Sequence, residues 1–195
     1  SMVRKLFSFD KILFIPSGHP PHKPDSEVIN AEHRYEMVRL AIASYSYFEV
    51  TRIELDREGH TYTVNTLKEL KEKYGQDIGL FFIIGTDVIP QLHTWRDSNS
   101  VFRLCEFIAV PRLGFDLKSI ESEMELLKRC CDLKISIAQI PLIDISSSEI
   151  RTMCKRGESI KHLVPEGVFE YIESQGLYRE SQGTNRESQE LYRDS

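Results

Sequence analysis

The run Ile145-Ser146-Ser147-Ser148-Glu149-Ile150-Arg151 sets three hydroxyls, a carboxylate and a guanidinium where a strand-like stretch gives way to a helical one. A helix N-terminus carries free N–H groups and the positive end of the helix dipole, and serine hydroxyls add donors suited to phosphate oxygens. Arg151 adds a permanent charge with forked donors. Simple capping by one serine is the bland alternative, and it leaves two hydroxyls and the arginine unexplained. Both readings stand at this point.

Three other places carry similar chemistry. Pro16-Ser17-Gly18-His19-Pro20-Pro21-His22-Lys23-Pro24 follows an apolar strand candidate, where loops of open α/β sheets meet ligands. His22 and Lys23 suit phosphate, whereas a stiff solvated loop explains the prolines equally well. Gly85-Thr86-Asp87 follows LFFIIG: glycine lets a ligand approach the backbone, and Asp87 can accept from ribose hydroxyls or help hold a cation. Trp95, the single tryptophan, is either a packing residue or a platform for a heteroaromatic ring. Tyr62 and Thr63 open a helical stretch and are ordinarily cap and packing residues.

The elements that must position these residues alternate. Strand candidates are Lys11–Pro16, Phe48–Leu55, Leu80–Gly85, Glu106–Pro111 and Lys134–Pro141. Three are nearly continuous apolar runs, as expected for strands buried on both faces of a parallel sheet. Helical periodicity covers Asn30–Ser44, Val64–Tyr74 and Ser119–Asp132, with two further helices between Ser147 and Gly157 and between Pro165 and Gly176. The pattern predicts a doubly wound α/β fold with a parallel sheet. From Glu173 the sequence ESQGLYR, ESQGTNR, ESQELYR repeats every seven residues, with bulky positions lost in the middle copy. Residues 180–195 therefore read as a largely disordered tail, and 1–179 as one domain.

Composition narrows the function classes. The net charge is −5, of which −2 falls between Glu173 and Ser195. A mildly acidic body lacks the basic stripe that nucleic acid requires. No apolar run is long enough to span a bilayer, and no secretory signal precedes the first strand. Cys105, Cys130, Cys131 and Cys154 form no C-x-x-C pair and no metal-spaced cluster. These features predict a soluble cytoplasmic protein with reduced thiols.

In order along the chain stand PSG-x-PPHK, R-x-G-x-x-YT-x-x-TL, FIIG-x-D with a downstream W, IS-S-S-x-IR and LVP-x-x-V-x-x-YI-x-x-x-GLY. Together they resemble the bacterial nicotinate-mononucleotide adenylyltransferases from about Val3 to Tyr178. The resemblance implies a Rossmann-like nucleotidyltransferase fold, joining nicotinate mononucleotide to ATP with Mg²⁺ in NAD synthesis. It implies that His22, Lys23, Ser146, Ser147, Ser148 and Arg151 meet ATP phosphates, with Gly85 and Asp87 at the dinucleotide near ribose. Thr63 and Trp95 would hold the nicotinate ring, with no protein-held metal site. The implied partners are ATP and nicotinate mononucleotide, with neither nucleic acid nor membrane; a homo-oligomer is compatible.

Three departures accompany the resemblance. Ser148 stands for the usual threonine and Asn65 for a common aspartate. The family's opening strand and G-x-F-D-P-x-H-x-G-H motif have no match, and Ser1–Phe7 reads as the end of the helix that follows them. No catalytic histidine is assignable. That strand would lie between KILFIP and LFFIIG, so unpaired edges are expected there. A non-catalytic nucleotide-binding module, or an adenylyltransferase for another phosphorylated substrate, are the alternative readings.

Overall fold

The computed structural model describes residues 1–19, 29–112, 117–141 and 145–179. His22, Lys23 and the repeat tail at 180–195 therefore lie outside the described residues. The chain divides into two compact units, Ser1–Asp144 and Ile145–Ser195. The division falls inside the stretch that the sequence presents as one domain.

The first unit alternates strands and helices. In chain order they are α1 (Met2–Phe7), β1 (Ile12–Phe14), α2 (Ala31–Ile42), β2 (Phe48–Val50) and α3 (Thr63–Tyr74). Then come β3 (Phe81–Gly85), a 3₁₀ helix (Thr86–Thr94), α4 (Ser98–Leu104), β4 (Glu106–Val110), α5 (Leu117–Cys131) and β5 (Ile135–Ile137). All pairings are parallel, in two ladders: β1 with β2, and β3–β4–β5 with β4 in the middle. The five strands and three of the unit's helices stand where periodicity places them, and the α/β character with parallel strands follows.

Two features differ from expectation. FEVTRIEL is strand only through Val50, because after the last rung (the Thr51 N–H on the Phe14 carbonyl, 3.0 Å) the chain turns. That turn is held by the Asp56 N–H on the Arg52 carbonyl at 2.9 Å and by the Arg52 guanidinium forked onto Glu32 at 2.8 Å twice. LFFIIG is not buried on both faces: Ile84 is buried, whereas Phe81 and Ile83 are 41% and 38% exposed. Among the described residues β1 and β3 each keep one edge without a ladder partner. Phe81 on that strand meets the Phe9 ring at 4.9 Å.

The 3₁₀ helix and α4 carry no clear periodic signal. Pro90 sits inside the first and lacks the amide that a continuous α-helix requires, so the segment runs as tighter turns. Ile89 and Leu92 nevertheless reach full burial from it.

The core of the first unit centres on β4. Phe107, Ile108 and Ala109 are buried, with Ile120, Met124 and Leu127 of α5 and Val64 and Leu67 of α3. These are the i, i+3, i+4 and i+7 positions expected of helices that bury one stripe. The Phe107 ring lies 5.9 Å from Phe82, 6.0 Å from Phe102 and 6.3 Å from Trp95. The four cysteines are free, and burial pushes the Cys105 thiol up to about 12. No helix among the described residues is long and apolar enough to cross a membrane.

The second unit holds α6 (Ser147–Lys155) and α7 (Glu166–Ser174) around buried Cys154, Ile160, Val168, Ile172 and Leu177. Each helix is followed by a glycine at positive φ, Gly157 and Gly176, as their sequence positions suggest.

Truncating the aromatic centre tests this description. Phe107→Ala is expected to lower the unfolding free energy by about 3–5 kcal/mol in urea titration. Leu126→Ala, on the exposed side of α5, should change it by about 0.5 kcal/mol or less. Equal effects would contradict the core assignment.

Candidate functional site

The β3–β4 register pairs Gly85 with Val110, so the residues just beyond both strands emerge side by side. Thr86, only 1% exposed, accepts the Arg112 backbone N–H at 3.2 Å and ties the two loops together. Asp87 follows, and its Oδ2 lies 3.4 Å from Arg112 Nη1. Its other oxygen, Oδ1, is buried without a hydrogen-bond partner. Gly85 is required for this arrangement. A Cβ there would fall 2.1 Å from Asp87 Oδ1 and 3.0 Å from Arg112 Nε. The space a side chain at Gly85 would fill is thus taken by the Asp87 carboxylate and the Arg112 guanidinium.

The loop after β1 is braced against the loop that leads into α3. Ser17 Oγ and Thr61 Oγ1 are 3.1 Å apart, and the Thr61 N–H donates to the His19 carbonyl at 3.1 Å. Arg34 Nη2 donates to the Gly18 carbonyl at 3.1 Å. At Gly18 a Cβ would sit 2.1 Å from the Glu54 carbonyl oxygen, so no side chain fits. Thr66 Oγ1 donates to Glu54 Oε1 at 2.7 Å and accepts from Arg57 Nη1 at 3.0 Å, while Arg57 Nε reaches Glu69 Oε1 at 3.0 Å. The arginine of R-x-G-x-x-YT therefore serves as a strut that holds the entry to α3.

Thr63 begins α3, whose N-cap Tyr62 makes no side-chain cap hydrogen bond. The Arg96 guanidinium lies 4.4 Å from the Tyr62 ring centroid. The sequence neighbours of Thr63 and Trp95 are thereby in contact. Trp95 packs its ring against Phe82 at 5.6 Å, so it is a rim residue of the core and remains only partly buried. Packing and ring-holding are both open to a side chain so placed.

In the second unit the serine turn divides its labour. Ser146 caps α6 by accepting the Glu149 N–H at 3.1 Å. Ser148 Oγ instead accepts from Arg151 Nη2 at 3.0 Å, and Ser147 stands exposed between them. Capping explains one hydroxyl, and the arginine sits on another.

Comparison with known proteins identifies the family. A cytidylyltransferase-like family model matches residues 1–153. A probable nicotinate-nucleotide adenylyltransferase of Moorella thermoacetica is 46% identical over 173 residues, covering 89% of this chain and 80% of its own. One from Thermoanaerobacter sp. is 39% identical over 177 residues, covering 91% and 84%. The chain belongs to the nicotinate-nucleotide adenylyltransferase family. A solved Plasmodium falciparum nicotinic acid mononucleotide adenylyltransferase, complexed with NaAD, superposes with a TM-score of 0.71 over 90% of this chain and 86% of its own. At 21% identity that likeness establishes the shared Rossmann-like fold.

Measured against the family motifs, Gly85, Asp87, Thr63 and Trp95 all belong to the first unit and Ser146, Ser147, Ser148 and Arg151 to the second. Motif reading gives no hint of Arg112, Arg96, Thr61 or Arg34. Arg112 and Arg96 are single arginines in loops, and only the strand register or a ring contact reveals them.

The serine turn yields a stability test. Ser146→Ala should cost about 1 kcal/mol of unfolding free energy by urea titration, as loss of an N-cap does. Ser147→Ala, which removes no hydrogen bond among the described residues, should cost about 0.5 kcal/mol or less.

Proposed function

We propose that this protein transfers the adenylyl group of ATP to nicotinate mononucleotide, releasing pyrophosphate and nicotinate adenine dinucleotide in NAD biosynthesis. One observation carries the reading: 46% identity over nearly the whole chain to a probable nicotinate-nucleotide adenylyltransferase. The geometry supports it. Loops rise at the carboxyl ends of the parallel strands β3 and β4, where open α/β sheets bind nucleotides.

In this reaction a phosphate oxygen of the mononucleotide attacks the α-phosphorus of ATP in line, and the bond to the pyrophosphate oxygen breaks. The nucleophile is already an anion, so little proton transfer is needed. Catalysis is alignment and charge stabilisation. In this reading Thr63 and Trp95 hold the nicotinate ring, and Asp87 takes ribose hydroxyls above the Gly85 backbone. Ser146, Ser147, Ser148 and Arg151 grip ATP phosphates, joined by His22 and Lys23.

Mg²⁺ enters with the nucleotide. Among the described residues no three His, Cys, Asp or Glu side chains are grouped to cage an ion, and the partly exposed Asp87 carboxylate faces Arg112. That donor set fits an ion held chiefly by substrate phosphates and water, with at most one protein carboxylate. When bound, such an ion supplies charge neutralisation at the phosphates. A cytoplasmic location fits the free cysteines.

Pyrophosphate release from ATP and nicotinate mononucleotide tests the proposal. Turnover is expected with the acid and markedly less with nicotinamide mononucleotide or pantetheine phosphate. Binding of both substrates with no pyrophosphate would favour a non-catalytic module instead. Arg151→Ala should lower kcat/KM by about 10²–10³-fold, the usual loss for one charge-stabilising donor. Gly85→Ala should weaken nucleotide binding about tenfold or more, because the new Cβ displaces Asp87, while the melting temperature stays near that of the parent.

A further inference from the structure

Arg112 belongs to none of the motifs, yet its guanidinium lies over Gly85 beside the Asp87 carboxylate. We propose that Arg112 binds the 5′-phosphate of the nucleotide whose ribose Asp87 holds, and that Asp87 keeps the guanidinium in place until that phosphate arrives. The inference rests on the adenylyl-transfer reading and adds to it a specific ligand for the phosphate.

Four observations lead there. The Arg112 backbone is fixed by its N–H on buried Thr86, so the side chain starts from a defined point at the end of β4. The Arg112 side chain is 63% exposed, and among the described residues its only ion-pair partner is Asp87. That contact is a single Nη1–Oδ2 approach of 3.4 Å, without the forked geometry that makes arginine–carboxylate pairs strong. An exposed pair of this kind contributes little and is readily exchanged. Finally, Asp87 Oδ1 is buried and lacks a donor, so the carboxylate is one hydrogen bond short in the free protein.

A nucleoside monophosphate satisfies both needs at once. A ribose hydroxyl donates to Asp87 Oδ1, and the phosphate on the same sugar offers Arg112 two oxygens in the fork geometry it lacks on Asp87. Both groups already lean over Gly85, since a Cβ there would meet Asp87 Oδ1 and Arg112 Nε together. The absent side chain at Gly85 thus leaves room for the two side chains that would hold the nucleotide. A lysine at 112 would keep the charge and lose the fork.

The experiment compares nucleotides with their nucleosides by isothermal titration calorimetry. The wild-type chain, Arg112→Gln and Arg112→Lys are each titrated with nicotinate mononucleotide, nicotinate riboside, AMP and adenosine. The expected result is a loss of about 10–100-fold for at least one of the two nucleotides in Arg112→Gln, consistent with removal of a charge-assisted hydrogen-bonded pair. Its nucleoside should bind unchanged, and Arg112→Lys should fall between. Equal losses for nucleotide and nucleoside would show a structural role and overturn the proposal, as would unchanged nucleotide affinity in both variants. A wild-type chain that binds neither nucleotide would instead sink the adenylyl-transfer reading, and this inference with it.

Discussion

Gly85 and Val110 pair as the last rung of two parallel strands, and that register decides which loops can meet. Thr86 then accepts the Arg112 N–H, and Asp87 comes within reach of the Arg112 guanidinium although 25 residues separate them in sequence. The register is held from beneath by β4, whose Phe107 is fully buried among Phe82, Phe102 and Trp95. A slip of one residue along β3 would turn Phe82 and Ile84 outward and move Gly85 off Val110. Core packing therefore sets the position of the chemistry, and the loops inherit it.

A second set of constraints acts sideways. The loop after β1 has little core of its own, and hydrogen bonds substitute for burial. Ser17 and His19 are tied to Thr61, and Gly18 is tied to Arg34. Arg57 and Thr66 hold the Glu54 carboxylate against α3. Because a Cβ at Gly18 would overlap the Glu54 carbonyl, these two loops approach backbone to backbone. The bracing fixes the entry to α3, where Thr63 stands, relative to the end of β1. It does so with partly buried polar contacts that a hydrophobicity profile cannot register.

That difference explains what the sequence reveals. The apolar runs KILFIP, LFFIIG and EFIAVP locate β1, β3 and β4, although only EFIAVP is buried along most of its strand. Ile120, Met124 and Leu127 report the buried stripe of α5. FEVTRIEL misleads because its alternation continues past Val50, whereas the Arg52–Glu32 pairing and the turn at Asp56 end the strand. The serine run and Gly85-Thr86-Asp87 are legible as chemistry because small and polar residues cluster beside a strand end. Arg112 and Arg96 are single arginines in loops, and what distinguishes them, Asp87 and the Tyr62 ring, lies far away in sequence.

Trp95 shows why the packing and binding readings of one residue need not compete. Its ring meets Phe82 and Phe107 at 5.6 and 6.3 Å, so its orientation is fixed by the aromatic core before any ligand arrives. A platform already locked by packing loses no side-chain entropy when a second ring is placed on it, whereas a free surface tryptophan would. Arg96, next in sequence, lies over the Tyr62 ring and joins this stretch to the start of α3. The orientation of Trp95 is thus set by the core, whereas the Arg112 side chain stays exposed on a single long contact to Asp87.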